Sequence, residues 1–242
     1  MKLSQFKALT FDCYGTLIDW ETGIIDGLQP LTSRIGGDIS RNKILETHAY
    51  YESSQQRATP HMKYSDLLAV VYRRLAEEWQ ITASLQDCEA YGDSVKNWPA
   101  FPDCAKALRH LKKHFRLYVL SNVDIRSFFF SNEKLQVRFD GIYTAEDVGS
   151  YKPSDRNFEY LLSNLGRQGI DREEILHVAE SVFHDHVPAN RHRLANCRIF
   201  RRSGKDGLGA SAGSGAGDTP TFNISLNSMS ELAELHRSQL SD

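Results

Sequence analysis

The sequence lacks the features that would place it in a membrane or on nucleic acid. It has no apolar run long enough to cross a bilayer, and its first residues, MKLSQFKALTF, lack the apolar stretch of a secretory signal. Neither charge dominates, because 29 lysines and arginines stand against 31 aspartates and glutamates. Such a balance gives no electrostatic reason to expect nucleic acid or an anionic membrane surface as a partner. These absences predict a cytoplasmic protein.

Cysteine is also scarce, and its placement argues against a disulfide framework. The four cysteines lie far apart, without metal-ligand spacing or a disulfide-like cluster: Cys13, Cys88, Cys104 and Cys197. We therefore expect reduced thiols. Cys13 is a conceivable nucleophile, but the sequence offers it no identifiable activating partner, and the neighbouring Asp12 would raise the pKa of its thiol.

The hydrophobic pattern alternates between strands and helices along most of the chain. At 242 residues, the chain is long enough for one large domain or for a core domain with a smaller insert. Short apolar runs predict strands over 5–12, 115–120, 141–145, 175–179 and 197–200, and an edge strand over 222–226. Helices are predicted over 124–136, with core contacts from Phe128, Phe129 and Phe130, and over 229–240, with core contacts from Leu232, Leu235 and Leu240. This alternation predicts a parallel, doubly wound α/β sheet.

A block without strand patterns follows the first strand. Four helical stretches are predicted there, over 24–31, 41–57, 65–79 and 87–97, with Ser40 and Ser65 as N-caps of the second and third. The sequence WPAFP at 98–102 ends this block, and Asp103 is placed to cap the next helix. Residues 203–219 are rich in glycine, serine and alanine, which predicts a flexible loop.

The first predicted strand ends in a carboxylate that is better placed for chemistry than for packing. Asp12 follows Ala8–Phe11 directly, and Gly15 then allows a tight turn with close approach of the backbone to a ligand. In open α/β sheets, ligands lie outside the carboxyl ends of the strands. An aspartate there can act as a nucleophile and form an ester intermediate. The alternative is that Asp12 only caps the turn.

Other predicted strands also end in polar or acidic residues. Ser121 and Asn122 follow the second strand, and Glu180 follows the fourth, with Asp185 about one turn later. The carboxyl ends of parallel strands meet along one crevice, so we expect these side chains to converge. A lysine, Lys152, lies in the loop DVGSYKP and would offset the charge of crowded carboxylates.

These segments together resemble the four motifs of the haloacid dehalogenase superfamily. Its first motif, an apolar strand followed by Asp-x-x-Gly-Thr-Leu, is matched by Asp12 to Leu17. Ser121, Lys152 and Asp185 match the later motifs in order. Tyr14, two residues after Asp12, is the residue type common in the 2-haloacid dehalogenase-like (type II) branch. The resemblance implies a Rossmann-like core of residues 1–19 and 98–242, with a helical cap of residues 20–97 inserted into it.

The resemblance further implies a hydrolase that acts on a small 2-haloacid without a cofactor. Homodimers are common among members of this branch, so the resemblance also suggests a homodimer. Asp12 would displace the halide and form an ester, which water then hydrolyses at the aspartyl carbonyl. Lys152 would balance charge, and Asp185 would position the water and Lys152. The remaining site residues would bind substrate: Thr16, Ser121 and Asn122 by holding oxygens, Ser181 beside them, and Tyr14 by lining the pocket.

Two features of the sequence keep another activity open. Glu180 matches the first carboxylate of the fourth motif in metal-dependent members, so that Asp12, the Tyr14 carbonyl, Glu180 and Asp185 could bind Mg²⁺ for a phosphatase. Phosphatases of the superfamily normally carry a second aspartate in the position of Tyr14.

Well-studied dehalogenases use an arginine early in the cap to receive the halide, and no convincing motif surrounds the nearby arginines: Arg34, Arg41 and Arg57. A third alternative is a binding or regulatory module that keeps the fold without catalysis.

Overall fold

A six-stranded parallel sheet forms the centre of the protein. The computed structural model describes residues 1–202 and 219–241. The strands are β1 (Ala8–Phe11), β2 (Arg116–Ser121), β3 (Gly141–Thr144), β4 (Ile175–Ala179), β5 (Ala195–Ile199) and β6 (Ile224–Leu226). They lie in the order β3-β2-β1-β4-β5-β6, and every neighbouring pair is parallel. The predicted doubly wound α/β fold is therefore confirmed.

Ten α-helices lie within the described residues, and the first four of them lie between β1 and the WPAFP segment at 98–102. These four are α1 (Trp20–Thr32), α2 (Arg41–Ala58), α3 (Tyr64–Glu78) and α4 (Leu85–Gly92). The others are α5 (Cys104–Leu111), α6 (Ile125–Leu135), α7 (Ala145–Val148), α8 (Asp155–Gly166), α9 (Val187–Arg191) and α10 (Met229–Ser241). None of the helices in this part of the chain is long and apolar enough to span a bilayer.

Alternate residues of the strands pack on opposite faces of the sheet. Ala8 belongs to the hydrophobic cluster that includes Phe158 of α8 and Ala189 of α9. Leu9, the next residue, belongs to a larger cluster on the other face that includes Leu108 of α5. The period of two in a strand produces this division. Both faces of the central strands are buried, which explains their nearly continuous apolar sequence.

The first strand is shorter than predicted because the residues before it have another role. The strand predicted over 5–12 begins only at Ala8, and Gln5 belongs instead to a 3₁₀ turn, Leu3–Gln5. Leu3 is buried, and its backbone N–H donates to Oε1 of Gln239 in α10 at 2.6 Å. The N-terminal residues are thus tied to the C-terminal helix.

Two predicted helix caps were wrong, because other groups satisfy the helix ends. Helix α3 begins at Tyr64 with Lys63 in the cap position, and the Ser65 N–H donates to Oδ2 of Asp124 at 2.9 Å. Asp103 precedes α5 but does not cap it with its side chain. Its carboxylate accepts instead from Arg201, at 3.0 Å, and from the Met229 N–H at the start of α10, at 2.7 Å.

Some apolar side chains also lie elsewhere than predicted. Phe128 is buried, but Phe129 is 58% exposed and Leu240 of α10 is 56% exposed, so neither is a core contact. The helix predicted over 87–97 is divided into α4 and a 3₁₀ turn, Asp93–Asn97. The predicted flexible loop of 203–219 falls, apart from Thr219, outside the described residues.

Candidate functional site

Residues from three neighbouring strands meet at the carboxyl edge of the sheet. Asp12 follows β1, Ser121 ends β2, and Glu180 follows β4. The turn after Asp12 is tight: the Leu17 N–H donates to the Cys13 carbonyl at 2.7 Å. Gly15 has a φ of +92°, a conformation that favours glycine. The expected convergence of strand ends is therefore present.

The centre of the site is a buried lysine between two carboxylates. Lys152 Nζ donates to Asp12 Oδ1 at 2.8 Å, to Asp185 Oδ1 at 2.7 Å and to the Leu120 carbonyl at 2.9 Å. These contacts use all three ammonium protons. Lys152 lies in the loop between α7 and α8, far in sequence from both aspartates. Asp12, Lys152 and Asp185 are nearly inaccessible to solvent.

Burial and charge have opposite effects on the protonation of this cluster. Burial raises the pKa of Asp12, and the charge of Asp185 adds to that effect, while Lys152 partly offsets it. Burial also raises the pKa of Asp185, but the Lys152 charge and the His177 hydrogen bond outweigh it. Together they hold the pKa of Asp185 below its usual range. The two carboxylates raise the pKa of Lys152 in spite of its burial. Asp185 is therefore ionised and Lys152 charged at neutral pH.

A second layer of polar groups behind the cluster was not anticipated from the sequence. His177 Nε2 lies 3.0 Å from Asp185 Oδ1, and His177 Nδ1 lies 2.9 Å from Thr10 Oγ1. In the tautomer with its proton on Nε2, His177 donates to Asp185 and accepts from Thr10. Thr10 and His177 are register partners in β1 and β4. The sequence signal that could have revealed this layer was the presence of Thr10 and His177 in strands that are otherwise apolar.

Thr16 and Asn122 organise their neighbours. The Thr16 hydroxyl donates to Asp12 Oδ2 at 2.7 Å and accepts from the Glu180 N–H at 2.9 Å, so it joins the ends of β1 and β4. The Asn122 amide makes reciprocal bonds to the Lys152 backbone, at 2.6 Å to its N–H and 3.0 Å to its carbonyl. The side chain of Asn122 thus positions the lysine loop, while its predicted contact with substrate stays a prediction.

Two buried oxygens at the site have no hydrogen-bond partner within the described part of the chain. They are Ser121 Oγ and Asp185 Oδ2. Buried polar atoms are rarely left unsatisfied, and such atoms in an active site are commonly satisfied by a ligand or an ordered water. Ser181 Oγ, in contrast, accepts from the His184 N–H at 3.1 Å and caps the π-helical turn Val182–His186, which carries Asp185.

A small cavity of about 50 Å³ opens onto Asp12. One water needs about 10–15 Å³ of such space, so the cavity holds about three to five water-sized groups. Its walls come from the sheet edge and from the inserted helices: Asp12, Tyr14, Trp20, Glu52, Ser53, Gln56, Tyr64, Asn122, Val123, Lys152, Glu180, Ser181, Phe183, His184 and Asp185. Tyr14 is a wall residue whose hydroxyl lies 2.7 Å from Ser131 Oγ in α6.

Helix α2 brings a carboxyl group to this cavity that sequence reasoning missed. Glu52 is buried and its Oε1 accepts from the Tyr64 hydroxyl at 2.8 Å. Burial raises the pKa of Glu52 to about 7. None of the described residues that line this cavity is an arginine. Arg57, one of the three arginines considered above, lines an adjoining hollow of about 420 Å³ that shares Lys152 and His184 with the site.

The donor set for a divalent ion is incomplete in this arrangement. Both oxygens of Asp12 are engaged, one by Lys152 and one by Thr16. Asp185 Oδ2 is free of protein hydrogen bonds among the described residues, and Glu180 lines the same cavity. A bound Mg²⁺ would therefore have one open carboxylate oxygen at Asp185 and a second carboxylate at Glu180. At Asp12 it would share an oxygen with Lys152 or Thr16.

The chain is similar to known proteins over most of its length. The (S)-2-haloacid dehalogenase of Pseudomonas sp. (strain YL) is 28% identical over 205 residues, covering 82% of this chain and 84% of the relative. The L-2-haloacid dehalogenase of Xanthobacter autotrophicus, solved with chloropropionic acid covalently bound, superposes with a TM-score of 0.77 at 16% identity, covering 96% of this chain and 98% of that one. The magnesium-bound HAD-hydrolase YfnB of Bacillus subtilis gives a TM-score of 0.73 at 17% identity, with 96% and 99% coverage. The model of haloacid dehalogenase-like hydrolases matches residues 6–182, most of the chain, and the protein belongs to this family of hydrolases.

Proposed function

We propose that this protein hydrolyses the carbon–halogen bond of small 2-haloacids through an ester on Asp12. The observation that carries the proposal is the position of Asp12, which lies at the floor of a small cavity and is held by Lys152 and Thr16. The relatives named for this reaction match most of the chain, and one solved neighbour carries chloropropionic acid covalently bound.

The reaction divides into two displacements. A carboxylate oxygen of Asp12 attacks the carbon that bears the halogen, and the halide leaves with the bonding electrons. Water then adds to the carboxyl carbon of the Asp12 ester, the 2-hydroxyacid departs, and the carboxylate is regenerated. The net change adds one water and releases halide and one proton. Fixed orientation of the nucleophile removes much of the entropic barrier to the first step.

The surrounding groups have separate tasks in this mechanism. Lys152 favours the ionised form of Asp12 against the effect of burial and screens it from Asp185. Asp185 Oδ2 accepts a hydrogen bond from the hydrolytic water, and the Ser121 hydroxyl holds a substrate oxygen. Neither oxygen has a hydrogen-bond partner among the described residues. Thr16 orients Asp12, and Tyr14 forms a wall. We assign Asn122 and Ser181 to the positioning of Lys152 and Asp185 beside the substrate.

We further propose that residues 20–97 act as a cap over a core of residues 1–19 and 98–242. Helices α2 and α3 contribute Glu52, Gln56 and Tyr64 to the cavity wall. The Tyr151 hydroxyl also donates to the Met62 carbonyl at 2.7 Å, which joins the lysine loop to the inserted helices. A cap of this kind excludes water from the first displacement and selects the substrate by its wall residues.

A Mg²⁺-dependent phosphatase is the second candidate, and the open Asp185 oxygen beside Glu180 favours it. Asp12, the Tyr14 carbonyl, Glu180 and Asp185 would hold the ion, which would neutralise the charge of a phosphate ester when bound. The structural neighbour solved with magnesium lends support. Tyr14 opposes this candidate, because its hydroxyl is paired with Ser131 and its half-buried phenol, whose pKa is raised by burial, is a poor acid for a leaving alkoxide.

A paired assay separates the two candidates. One arm follows chloride release from each enantiomer of 2-chloropropionate in the presence of EDTA, and the other follows phosphate release from p-nitrophenyl phosphate with and without Mg²⁺. The Asp12→Asn variant is the control in both arms. Halide release that needs Asp12 and survives EDTA supports the dehalogenase. Phosphate release that needs Mg²⁺ and Asp12 replaces it with the phosphatase, and a variant indistinguishable from wild type in every arm favours a non-catalytic module.

A further inference from the structure

Three histidines meet between α5 and α10. His110 lies in the last turn of α5, His114 just after that helix, and His236 in α10. One ring nitrogen from each lies within 4.8 Å of the others. His110 Nε2 and His236 Nδ1 are 3.0 Å apart, and the ring centroids of His114 and His236 are 4.6 Å apart. Among the described residues, this is the one group of three or more metal-ligating side chains that lie so close together.

This cluster is separate from the site at Asp12. Helix α5 leads through His114 into Arg116, the first residue of β2, so the cluster lies near the amino end of that strand. Asp12 follows the carboxyl end of β1, and the two strands are parallel. The histidines are therefore at the opposite edge of the sheet and have no contact with the proposed reaction.

Two of the three histidines lie in surroundings that favour the neutral ring. Burial lowers the pKa of His110 and of His236, and nearby positive charge, including that of Arg237, adds to the effect. A neutral imidazole has one nitrogen lone pair for a metal ion, and the nitrogen that donates in the His110–His236 hydrogen bond must lose its proton or move it to the other ring nitrogen when both rings bind one ion. His236 is buried, whereas His114 is exposed and gives an ion access from solvent. The ring centroids of His236 and Phe115 are 4.9 Å apart, and this contact restricts the orientation of the buried imidazole.

We propose that His110, His114 and His236 bind one Zn²⁺ ion, with water as the fourth ligand. Zinc bonds imidazole nitrogen at about 2.0–2.1 Å, so two ligands of a tetrahedral site lie about 3.3 Å apart. The 3.0 Å between the nitrogens of His110 and His236 is already close to that separation. The ion would join the C-terminal helix α10 to α5 and to the segment that leads into β2, and the water ligand would leave one position open.

Zinc titration of the untagged, EDTA-stripped and dialysed full chain tests the proposal. We expect one Zn²⁺ per chain by competition with a chromophoric chelator, a higher unfolding temperature on binding, and a visible d–d band typical of tetrahedral coordination when Co²⁺ replaces zinc. His110→Gln and His236→Gln should each weaken binding at least tenfold and abolish the Co²⁺ band. His192→Gln, which changes a histidine paired with Asp155, is the matched control and should bind as wild type does.

Two outcomes would overturn the proposal. One is the absence of binding at micromolar zinc, which would leave the cluster as hydrogen-bonded and stacked imidazoles only. The other is stoichiometric binding that His110→Gln and His236→Gln leave unchanged but Asp185→Asn weakens, which would place the ion at the acidic site. The binding and unfolding measurements do not depend on any assumed substrate.

Discussion

Replacement of Lys152 by methionine tests the charge arrangement that the proposed chemistry depends on. The change leaves Asp12 and Asp185 buried without the ammonium group that lies within 2.8 Å of both. Removal of one partner from a buried ion pair costs about 3–5 kcal/mol, and here one lysine serves two carboxylates. We therefore expect Lys152→Met to lower the free energy of unfolding at pH 7.5 by about that amount and to abolish turnover.

The effect should depend on pH in a defined direction. Without Lys152, burial and mutual repulsion raise the pKa of both aspartates in the folded state above their unfolded values. The folded variant then binds more protons than the unfolded chain, so its stability rises as pH falls. In the wild type, the lowered pKa of Asp185 gives stability that is lost only as pH falls below the ordinary aspartate range, so Asp185 adds little change between pH 7.5 and pH 5. The loss caused by Lys152→Met should therefore be much smaller at pH 5 than at pH 7.5.

Urea unfolding followed by circular dichroism at both pH values measures this difference. Lys7→Met is the matched control, because Lys7 forms an exposed ion pair with Glu174 and its loss should leave the unfolding midpoint unchanged. In the Lys152→Met background, Asp185→Asn should restore part of the stability at pH 7.5. A loss below about 1 kcal/mol, or an equal loss at both pH values, would refute the reasoning.

Four further substitutions test individual groups. Asp12→Asn should abolish halide release while circular dichroism shows an unchanged fold, and turnover in the folded variant would remove Asp12 as the nucleophile. Thr16→Val should lower kcat more than it raises KM, because it frees an oxygen of the nucleophile; steady-state kinetics with an unchanged kcat would contradict this role. Tyr14→Phe should keep most activity and lose about 1 kcal/mol of stability in urea, the value of its hydrogen bond to Ser131. In the wild type, we expect kcat/KM to fall as pH rises through about 7, because Glu52 then ionises beside an anionic substrate. Glu52→Gln should make this fall smaller. A variant with the wild-type pH profile would exclude the effect.

The fold was largely predictable because its central strands are short apolar runs with clear ends. The strand predicted over 175–179 matches Ile175–Ala179 in full, since it lies between a charged turn and Glu180. Predictions failed where a distant partner decided the local structure. Asp103 has the position of an N-cap, but Arg201 and the start of α10 compete for its carboxylate. No local pattern contains that information.

The site was predictable only on the side formed by the sheet. The rule that ligands lie at strand ends led to Asp12, Ser121 and Asp185, because topology fixes those positions. It could not lead to Glu52. Helix α2 has the sequence RNKILETHAYYESSQQRA, in which a buried polar face cannot be told from a solvated one. Periodicity assigns glutamate and glutamine to solvent, whereas Glu52 and Gln56 are buried against the cavity.

The two sides of the cavity therefore have different consequences for specificity. The sheet supplies the proposed nucleophile, Asp12, and a cluster in which Lys152 offsets part of the charge of Asp12 and Asp185. The inserted helices add Glu52, whose burial brings its pKa to about 7, and no arginine from the described residues. A 2-haloacid brings a carboxylate and releases a halide, so both would meet an unfavourable charge when Glu52 is ionised. When Glu52 is protonated, its hydroxyl can donate a hydrogen bond to either anion, and the protonation state of this one helix residue then decides how well the cavity accepts an acidic substrate.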